Sequence, residues 1–309
     1  MKIAVLGAGG IGGYIGGRLA EIGHDVCLVA RGRHLKAITE KGLNIESPLG
    51  DAHLKDIKAV EQIADVGTVD LVLVTVKLPA LDEIAQKIPS LLTPTTRIVT
   101  LQNGVDAKPM IGQYVDPAII AQGVIYLAAY IKEPGIIMTP GGKHQMLVDQ
   151  LGDDQTMRTF FDAIGEATAI DVTPVEDSDK TVWGKFTAQS SIAAITAITR
   201  MSLGGVFSST HATELLNQLL AESIAVAAAY GVELDPDHAE NVIDLYSKQP
   251  AAQSSSLIVD ILAGKPTELE WLSGRVHTLG LETGTPTPAH SLVWNALFDY
   301  KDSRPEYAL

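Results

Sequence analysis

The fold of this chain is decided by the stretch Lys2-Ile3-Ala4-Val5-Leu6-Gly7-Ala8-Gly9-Gly10-Ile11-Gly12. Its apolar run has the length of a strand, and the glycines come directly before a segment of helical period at 11–22. In that context the first glycine permits a tight turn, the second lets a pyrophosphate approach the backbone, and the third allows a helix to pack closely on a strand. The stretch predicts a dinucleotide-binding unit formed by Gly7, Ala8, Gly9, Gly10, Ile11 and Gly12; a purely structural glycine turn is the alternative.

The residues after the second predicted strand, at 26–29, indicate which dinucleotide is bound. They are Arg31-Gly32-Arg33-His34, where an NAD-preferring site would place an Asp or Glu on the ribose. Asp25 precedes the strand and so lies at the wrong end of the sheet. Arg31 can pair with a 2′-phosphate and stack on adenine, which predicts NADPH as the cofactor. The alternative for Arg31 is a solvated surface cation, which is what we expect of Arg33.

Further apolar runs of strand length alternate with helical segments such as 81–92, which predicts a parallel, doubly wound sheet. These runs lie at 3–6, 26–29, 71–76, 98–101 and 119–129. Lys77 and Asn103 each follow one of the runs, and ligands bind at the carboxyl ends of such strands. We therefore predict that both residues contact the cofactor, with a solvated lysine and an ordinary Asn-Gly turn as the alternatives.

The second half of the chain predicts a helical domain. After a hairpin formed by 136–140, Gly141-Gly142 and 144–148, and a short strand at 169–173, Pro174 marks the expected boundary between domains 1–174 and 175–309. The segment at 215–229 is expected to pack inside the second domain, with a homodimer interface as the alternative. The predicted helices lie at 180–200, 211–230, 237–246, 254–262, 267–279 and 288–300.

Composition narrows the class of protein further. The 309 residues carry a net charge of −14, which argues against nucleic acid and anionic membrane surfaces as partners. The single cysteine, Cys27, excludes an internal disulfide and fits a cytoplasmic location. No signal peptide or membrane-spanning run is expected, and the histidines show no metal-ligand spacing, so we predict no metal site.

A candidate proton donor lies in the sequence Thr181-Val182-Trp183-Gly184-Lys185-Phe186. Hydride reduction of a ketone leaves negative charge on oxygen, which a lysine can protonate. Partial burial among apolar neighbours would ease the release of the proton from Lys185, although a lysine that only extends from a packed helix is the alternative. Glu268 follows Pro266-Thr267 at a predicted helix start, where an acid is ordinary because Thr267 and Glu270 have capping-box spacing.

Together these motifs resemble the ketopantoate reductase family over essentially the whole chain. Besides the glycine turn, the shared segments are Val29-Ala30-Arg31-Gly32, Val74-Thr75-Val76-Lys77, Leu101-Gln102-Asn103-Gly104, Trp183-Gly184-Lys185-Phe186, Ser255-Ser256-Leu257 and Thr267-Glu268-Leu269-Glu270. The resemblance implies a Rossmann domain followed by an all-α domain of the 6-phosphogluconate dehydrogenase C-terminal type. It also implies NADPH-dependent reduction of ketopantoate to (R)-pantoate in pantothenate and coenzyme A biosynthesis.

The resemblance also implies roles for individual residues. Lys185 would be the acid at the substrate oxygen, and Glu268 its partner on the substrate hydroxyl and at the cofactor. Asn103 and Lys77 would line the nicotinamide end, with Asn103, Gln189 and Ser256 on the substrate side.

Departures from the family pattern fall on that substrate side. The family usually has asparagines four and eight residues after the lysine, where this chain has Gln189 and Ala193, and a further asparagine is missing near Leu203-Gly204-Gly205. Ala193 cannot form a side-chain hydrogen bond, so a less polar pocket is expected. A related D-2-hydroxyacid dehydrogenase acting on another branched or aromatic 2-oxo acid is therefore one alternative, and a non-enzymatic NADPH sensor is another.

Overall fold

The computed structural model describes residues 1–141, 144–167, 170–303 and 305, and divides into two compact units, 1–181 and 182–309. Each unit has its own core of buried apolar side chains. The division falls within a helix that begins at Ser178, and Pro174 lies in the strand before it. The domain boundary after residue 174 remains a prediction.

The strands of the described residues all belong to the first unit. They are β1 (Lys2–Leu6), β2 (Asp25–Val29), β3 (Leu43–Glu46), β4 (Ala52–Leu54), β5 (Lys58–Val60), β6 (Leu71–Val74), β7 (Arg97–Thr100), β8 (Ile120–Tyr126), β9 (Tyr130–Glu133), β10 (Ile136–Met138), β11 (His144–Asp149) and β12 (Ile170–Val175).

Eight of these strands form the large sheet, in the order β12-β11-β8-β7-β6-β1-β2-β5 within the described residues. Neighbouring strands from β5 to β8 are parallel, and β11 is antiparallel to β8. The central runs are buried on both faces, as continuous apolar sequence predicts. The predicted doubly wound fold with a helical second domain is confirmed, and β1 lies inside the sheet between β6 and β2.

The predicted hairpin is wrong. Its first arm, β10, pairs with β3 and β9 in a second sheet of order β4-β3-β10-β9, while its second arm, β11, extends the large sheet beside β8. Gly142, part of the predicted turn, lies outside the described residues, as does Ala169 at the start of the predicted last strand. Two strands close in sequence can join different sheets because each pairs with the edge that buries its apolar face, and a local pattern does not specify that edge.

From Ser178 onward most α-helices of the described residues overlap the predicted segments, but the helix Leu203–Ser208 was not predicted. The α-helices of the described residues are α1 (Gly10–Glu21), α2 (Gly32–Lys41), α3 (Leu81–Ala85), α4 (Ala107–Ile111), α5 (Gln155–Glu166), α6 (Ser178–Thr199), α7 (Leu203–Ser208), α8 (Thr210–Ala229), α9 (His238–Ser247), α10 (Ser256–Leu262), α11 (Ser273–Thr283) and α12 (Pro288–Leu297).

Two predicted helices are broken. The segment at 81–92 contains the short α3 and a 3₁₀ turn, Ile88–Leu91, that includes Pro89. The segment at 267–279 begins as a 3₁₀ turn, Leu269–Trp271, before α11 starts. The hydroxyl of Thr267 accepts from the N–H of Leu269 at 3.4 Å, but the N-cap residue of this turn is Glu268 and the Thr267 N–H bonds the Lys301 carbonyl at 2.7 Å, so the predicted capping box of Thr267 and Glu270 does not form.

The second unit packs α8 into its core through residues that include Leu216, Leu219 and Leu220. Glu222 of this helix accepts hydrogen bonds from the N–H groups of Ala289 and His290, at 2.7 and 2.9 Å, and so caps α12. The predicted packing of 215–229 inside its own domain is thus what the described residues show. No helix among them is long and apolar enough to cross a membrane.

Candidate active site

The glycine turn joins β1 to α1 at the carboxyl edge of the large sheet. Gly7 has a φ of +103°, which a residue with a Cβ rarely adopts, and the N–H groups of Gly7 and Ala8 both bond the Val29 carbonyl, at 3.3 and 3.0 Å. Thr75, just past β6, donates its hydroxyl to the Gly7 carbonyl at 2.8 Å. The turn is therefore held by the strands on both sides of β1.

The glycines of the turn differ in how much space a Cβ atom would have at their positions. At Gly12 it would overlap Thr75 Oγ1 and the Gly7 carbonyl oxygen, and at Gly10 it would overlap the Ala129 carbonyl. At Gly9 it would meet nothing within 4 Å. Two glycines thus permit close packing inside the unit, whereas Gly9 leaves open space above the backbone. That open space at a helix N-terminus fits a pyrophosphate group.

A cleft of about 340 Å³ opens beside the turn. Its walls bring together predicted cofactor residues from three segments, namely the glycine turn, Arg31 and Lys77. Ala80, Ile84 and Ile131 add an apolar wall that the sequence did not predict. An apolar wall next to open backbone N–H groups suits the adenosine and pyrophosphate parts of a dinucleotide.

Arg31 is the N-cap residue of α2, and its guanidinium lies 3.5 Å from Glu83 Oε1. The side chain is 60% exposed, so this ion pair contributes little to stability. It does direct the guanidinium toward the side of the cleft formed by Ala80 and Ile84. Arg33 is exposed and is not part of the cleft wall, in line with the solvated cation predicted for it.

Lys77 is exposed in the cleft wall, whereas Asn103 lies half-buried in the loop after β7 and is not part of that wall. The neighbouring Gln102 shapes this loop, because its amide donates to the carbonyls of Val74 and Val76 at 3.1 and 3.0 Å. The carboxyl ends of β6 and β7 are thereby joined. The structure brings Lys77 to the glycine turn and leaves Asn103 on the next loop.

In the second unit, Lys185 lies on α6 next to buried apolar side chains, Val182, Trp183 and Phe186. Burial lowers the pKa of Lys185 from its usual 10.5 to about 8, and the negative charge of Glu268 opposes that lowering. Glu268 is half-buried at the start of the 3₁₀ turn before α11. The two predicted catalytic residues therefore interact electrostatically, and the lysine can release its proton near neutral pH.

The turn of α6 that carries Lys185 is fixed by hydrogen bonds. Thr187 donates its hydroxyl to the Gly184 carbonyl at 3.0 Å and is 2.8 Å from His238 Nε2. The Thr187 hydroxyl thus connects the Gly184 carbonyl of α6 to the imidazole of His238. This link to α9 restrains the helix beside Lys185.

The predicted substrate residues differ in their surroundings. Gln189 lies one turn beyond Lys185, and its Oε1 is buried with no hydrogen-bond partner among the residues that the structure describes. Ala193 is buried in the apolar core of its unit. Ser256 is exposed at the first position of α10, while the preceding Ser255 caps that helix and lies 2.6 Å from Thr196 Oγ1. An unpaired buried acceptor costs free energy, so Gln189 is suited to a ligand that donates a hydrogen bond.

Sequence reasoning missed two residues of the cleft whose positions depend on the second sheet. His34 was visible in the segment after β2, but it lies in the wall because its Nδ1 accepts from the N–H of Gly135, which is 101 residues away in sequence. Ile131 comes from β9, a short exposed strand with no local signal of a binding role. Only the folded chain brings these two residues to the glycine turn.

Comparison with known proteins gives a consistent result along the chain. The family model described as ketopantoate reductase PanE/ApbA matches residues 3–152, and the model for the C-terminal part of the same family matches residues 177–301. A 2-dehydropantoate 2-reductase of Pyrococcus horikoshii is 28% identical, with 98% of each chain covered.

Solved structures agree with that result. A PanE/ApbA family ketopantoate reductase from Ralstonia eutropha JMP134 is 28% identical with a TM-score of 0.87, covering 97% of this chain and 98% of that one. A D-mandelate dehydrogenase bound to NADH and anilino(oxo)acetate superposes with a TM-score of 0.86 over 97% of this chain and 98% of that one, at 22% identity. The similarity to D-mandelate dehydrogenase is a similarity of fold.

Proposed function

The chain belongs to the ketopantoate reductase family of NAD(P)H-dependent oxidoreductases, and from that premise we propose that it reduces 2-dehydropantoate to (R)-pantoate with NADPH. It would act in the cytoplasm in pantothenate and coenzyme A biosynthesis. The observation that carries the proposal is Lys185, whose pKa is lowered to about 8 next to the carboxylate of Glu268.

The chemistry assigned to Lys185 is delivery of one proton. When bound, the reduced nicotinamide supplies a hydride to the carbonyl carbon of the substrate. The electrons of the carbonyl π bond move to oxygen, which takes a proton from the Lys185 ammonium and becomes a hydroxyl. A donor whose pKa lies near the working pH is both protonated before the reaction and able to release its proton in the transition state.

Glu268 would hold Lys185 in its charged form before the transfer. Its negative charge raises the lysine pKa against the effect of burial. A carboxylate is also a hydrogen-bond acceptor, so Glu268 can accept from the hydroxyl formed at the reduced carbon, which leaves the substrate's own O–H for Gln189. Both roles agree with the family pattern carried by Thr267-Glu268-Leu269-Glu270.

Gln189 favours a substrate that carries a hydroxyl group. Its buried Oε1 has no partner among the described residues, and a hydroxyl donor would satisfy it. Sites that bond a substrate hydroxyl discriminate strongly against analogues that lack it, because a buried polar group is then left unpaired. Ketopantoate has this hydroxyl and 2-oxoisovalerate is the same 2-oxo acid without the hydroxymethyl group, so the pair reports the contribution of that group.

The test compares turnover of ketopantoate, 2-oxoisovalerate and phenylpyruvate. We expect kcat/KM for ketopantoate to exceed that for 2-oxoisovalerate by about 10²-fold or more. In Gln189→Leu the preference should fall by about tenfold, while turnover of 2-oxoisovalerate changes little. A wild-type preference for either of the other two acids would overturn the substrate assignment.

The second candidate is a D-2-hydroxyacid dehydrogenase acting on another branched or aromatic 2-oxo acid. The specific observation behind it is Ala193, which lies in an apolar core where the family usually has an asparagine. Phenylpyruvate turnover above that of ketopantoate would support it. A homodimer remains a prediction for either candidate.

NADPH preference would depend on Arg31. It lies in the wall of the cleft, and no acid follows β2 where a ribose-binding carboxylate would lie. Because the solved D-mandelate dehydrogenase binds NADH, this preference needs its own test. We expect Arg31→Ala to raise KM for NADPH by about 10-fold to 100-fold and to leave KM for NADH nearly unchanged. Arg33→Ala is the matched control, and equal effects of Arg31→Ala on both cofactors would exclude a 2′-phosphate contact.

A further inference from the structure

The wall of the cofactor cleft contains a histidine for which neither the family motifs nor the proposed reaction provides a role. His34 is the third residue of α2 and lies next to the glycine turn in the cleft wall. Its Nδ1 accepts a hydrogen bond from the N–H of Gly135 at 3.0 Å. Gly135 lies between β9 and β10, so His34 links the helix after β2 to the second sheet.

The hydrogen bond from Gly135 fixes the protonation state of the imidazole. A ring nitrogen that accepts an N–H carries no proton, so the neutral ring has its proton on Nε2. Burial lowers the pKa of His34 below its usual value, which favours this neutral form, and an interaction with the Ala8 carbonyl opposes the lowering. His34 therefore presents a single N–H donor on the side of the glycine turn.

The Nε2–H donor of His34 has no hydrogen-bond acceptor at normal geometry among the described residues. Nε2 is buried and makes no hydrogen bond of normal geometry to any residue that the structure describes, although the Ala8 carbonyl is close enough to influence the ring. A buried donor without a partner costs free energy, which a small movement of the turn toward His34 would recover. The Ala8 carbonyl belongs to the peptide that leads into Gly9, where the backbone lies open to a ligand.

We propose that His34 is a positioning residue for the cofactor: when the turn moves toward it, its Nε2–H binds the Ala8 carbonyl and holds the glycine turn in the conformation that receives the pyrophosphate. Because Nε2 is buried, the effect of this nitrogen on the cofactor is transmitted through the backbone of the turn. The pyrophosphate is common to NADPH and NADH, so the effect is the same for both. Arg31, by contrast, is assigned to the 2′-phosphate alone.

The experiment measures dissociation constants of NADPH and NADH by nicotinamide fluorescence on the full chain without substrate, together with the melting temperature. His34→Ala should raise both dissociation constants by about tenfold, the scale of one hydrogen bond. His34→Gln places an amide donor near the position of Nε2 and should stay within about threefold of wild type. His34→Asn places an acceptor near the position of Nδ1 and no donor near Nε2, so it should bind as weakly as His34→Ala while its melting temperature stays near wild type.

The pair of amide variants separates positioning from a merely structural role. If His34→Asn restores binding and His34→Gln does not, the bond to Gly135 is what matters and the proposal is wrong. An effect confined to NADPH would place His34 on the 2′-phosphate and would also overturn it. Lys36→Ala, on the exposed side of the same helix, is the control and should leave both constants unchanged.

This inference goes beyond the proposed function and does not depend on the substrate. Binding is measured in the absence of any oxo acid, so a chain that fails to reduce ketopantoate can still show the predicted pattern. Conversely, unchanged affinity in His34→Ala would reject the positioning role and leave the reductase proposal intact.

Discussion

The glycine turn of the first unit and the helix α6 of the second unit contribute to function in different ways. At the turn, most of what matters is backbone: a positive φ at Gly7, overlap avoided at Gly10 and Gly12, and open space at Gly9. On α6, what matters is one side chain, Lys185, whose pKa depends on its burial and on Glu268. The function of the first region therefore depends on the absence of side chains, and that of the second depends on the burial and charged neighbour of Lys185.

This difference determines how each region should respond to mutation. A backbone site is sensitive to added atoms, because interiors are close-packed and overlap forces the structure to move. A charged site is sensitive to removal of the charge or of its neighbour, with little effect on folding. Variants of the two regions should therefore separate loss of stability from loss of chemistry.

The largest effect is expected when the proton donor is removed. Lys185→Ala should lower kcat by about 10²-fold to 10⁴-fold, the usual contribution of a positioned acid, since no other group is assigned to protonate the oxygen. The dissociation constant of NADPH, measured by fluorescence, should stay near wild type. Lys248→Ala is the control, since this lysine is exposed at the C-cap of α9.

Unchanged kcat in Lys185→Ala would remove the catalytic assignment of this lysine. A parallel loss of cofactor affinity would instead show that the helix had been disturbed. Either result would break the distinction between the two regions.

Acid should destabilise the second unit through a buried histidine. His290 lies between Ser273 and the Leu219 carbonyl, and burial lowers its pKa from 6.5 to about 4. Between these values the unfolded chain binds a proton that the folded chain does not, so stability is present above pH 6.5 and is lost as the pH falls toward 4. The loss attributable to His290 should be roughly 3 kcal/mol.

Urea unfolding across that pH range measures this loss. His290→Gln should unfold with a shallower dependence on pH, even if it is less stable at pH 7. An equal pH slope in wild type and variant would show that His290 titrates normally in the folded unit.

Two alanine substitutions at the turn sharpen the comparison within the first unit. Gly12→Ala should cost about 1–3 kcal/mol of stability, because its Cβ overlaps Thr75 and Gly7. Gly9→Ala should fold normally, since its φ of −74° suits any residue and its Cβ meets nothing, but NADPH affinity should fall by about tenfold.

Thermal unfolding and fluorescence titration report the two effects separately. Gly165→Ala, in exposed and open space on α5, is the reference and should gain about 0.5–1 kcal/mol. If Gly9→Ala lost stability as Gly12→Ala does, the open space at Gly9 would have no functional meaning.

The smallest effect concerns the pH profile of reduction. The kcat should fall as the pH rises through about 8, because Lys185 is the acid and loses its proton there. Glu268→Gln removes the charge that raises the lysine pKa, so this basic limb should move to lower pH and kcat at pH 7 should fall by about twofold. A limb that stays in place would show that Glu268 does not influence the donor.

Much of the cofactor half could be predicted because its signals are local. The strand, the glycines and Arg31 occupy a short segment, and each glycine performs its role within that segment or against the next strand. Most helices of the second half were predicted from periodicity for the same reason, whereas the short α7 was not predicted and the segment at 267–279 was predicted with the wrong start. The apolar wall formed by Ile131 could not be predicted, since β9 joins a sheet whose pairing no local pattern specifies.

On the substrate side the sequence identified the candidate residues, but it could not predict the pKa of the lysine or the hydrogen bonding of its neighbours. The sequence identified Lys185, but its pKa depends on the burial of the folded helix and on a carboxylate 83 positions later in the chain. It identified Gln189 and Ala193 as departures, but only the structure shows one as an unpaired buried acceptor and the other as part of an apolar core.

The contact between Gly10 and the Ala129 carbonyl has a practical consequence for coenzyme engineering. The segment just before β9 lies so close to the glycine turn that no larger residue fits at position 10. A dehydrogenase that lacks the second sheet has no such contact, so β1, the turn and α1 taken from it need not have a residue at this position that fits against Ala129. Cofactor swaps should therefore exchange the turn together with residues 129–138, as one transplantable module.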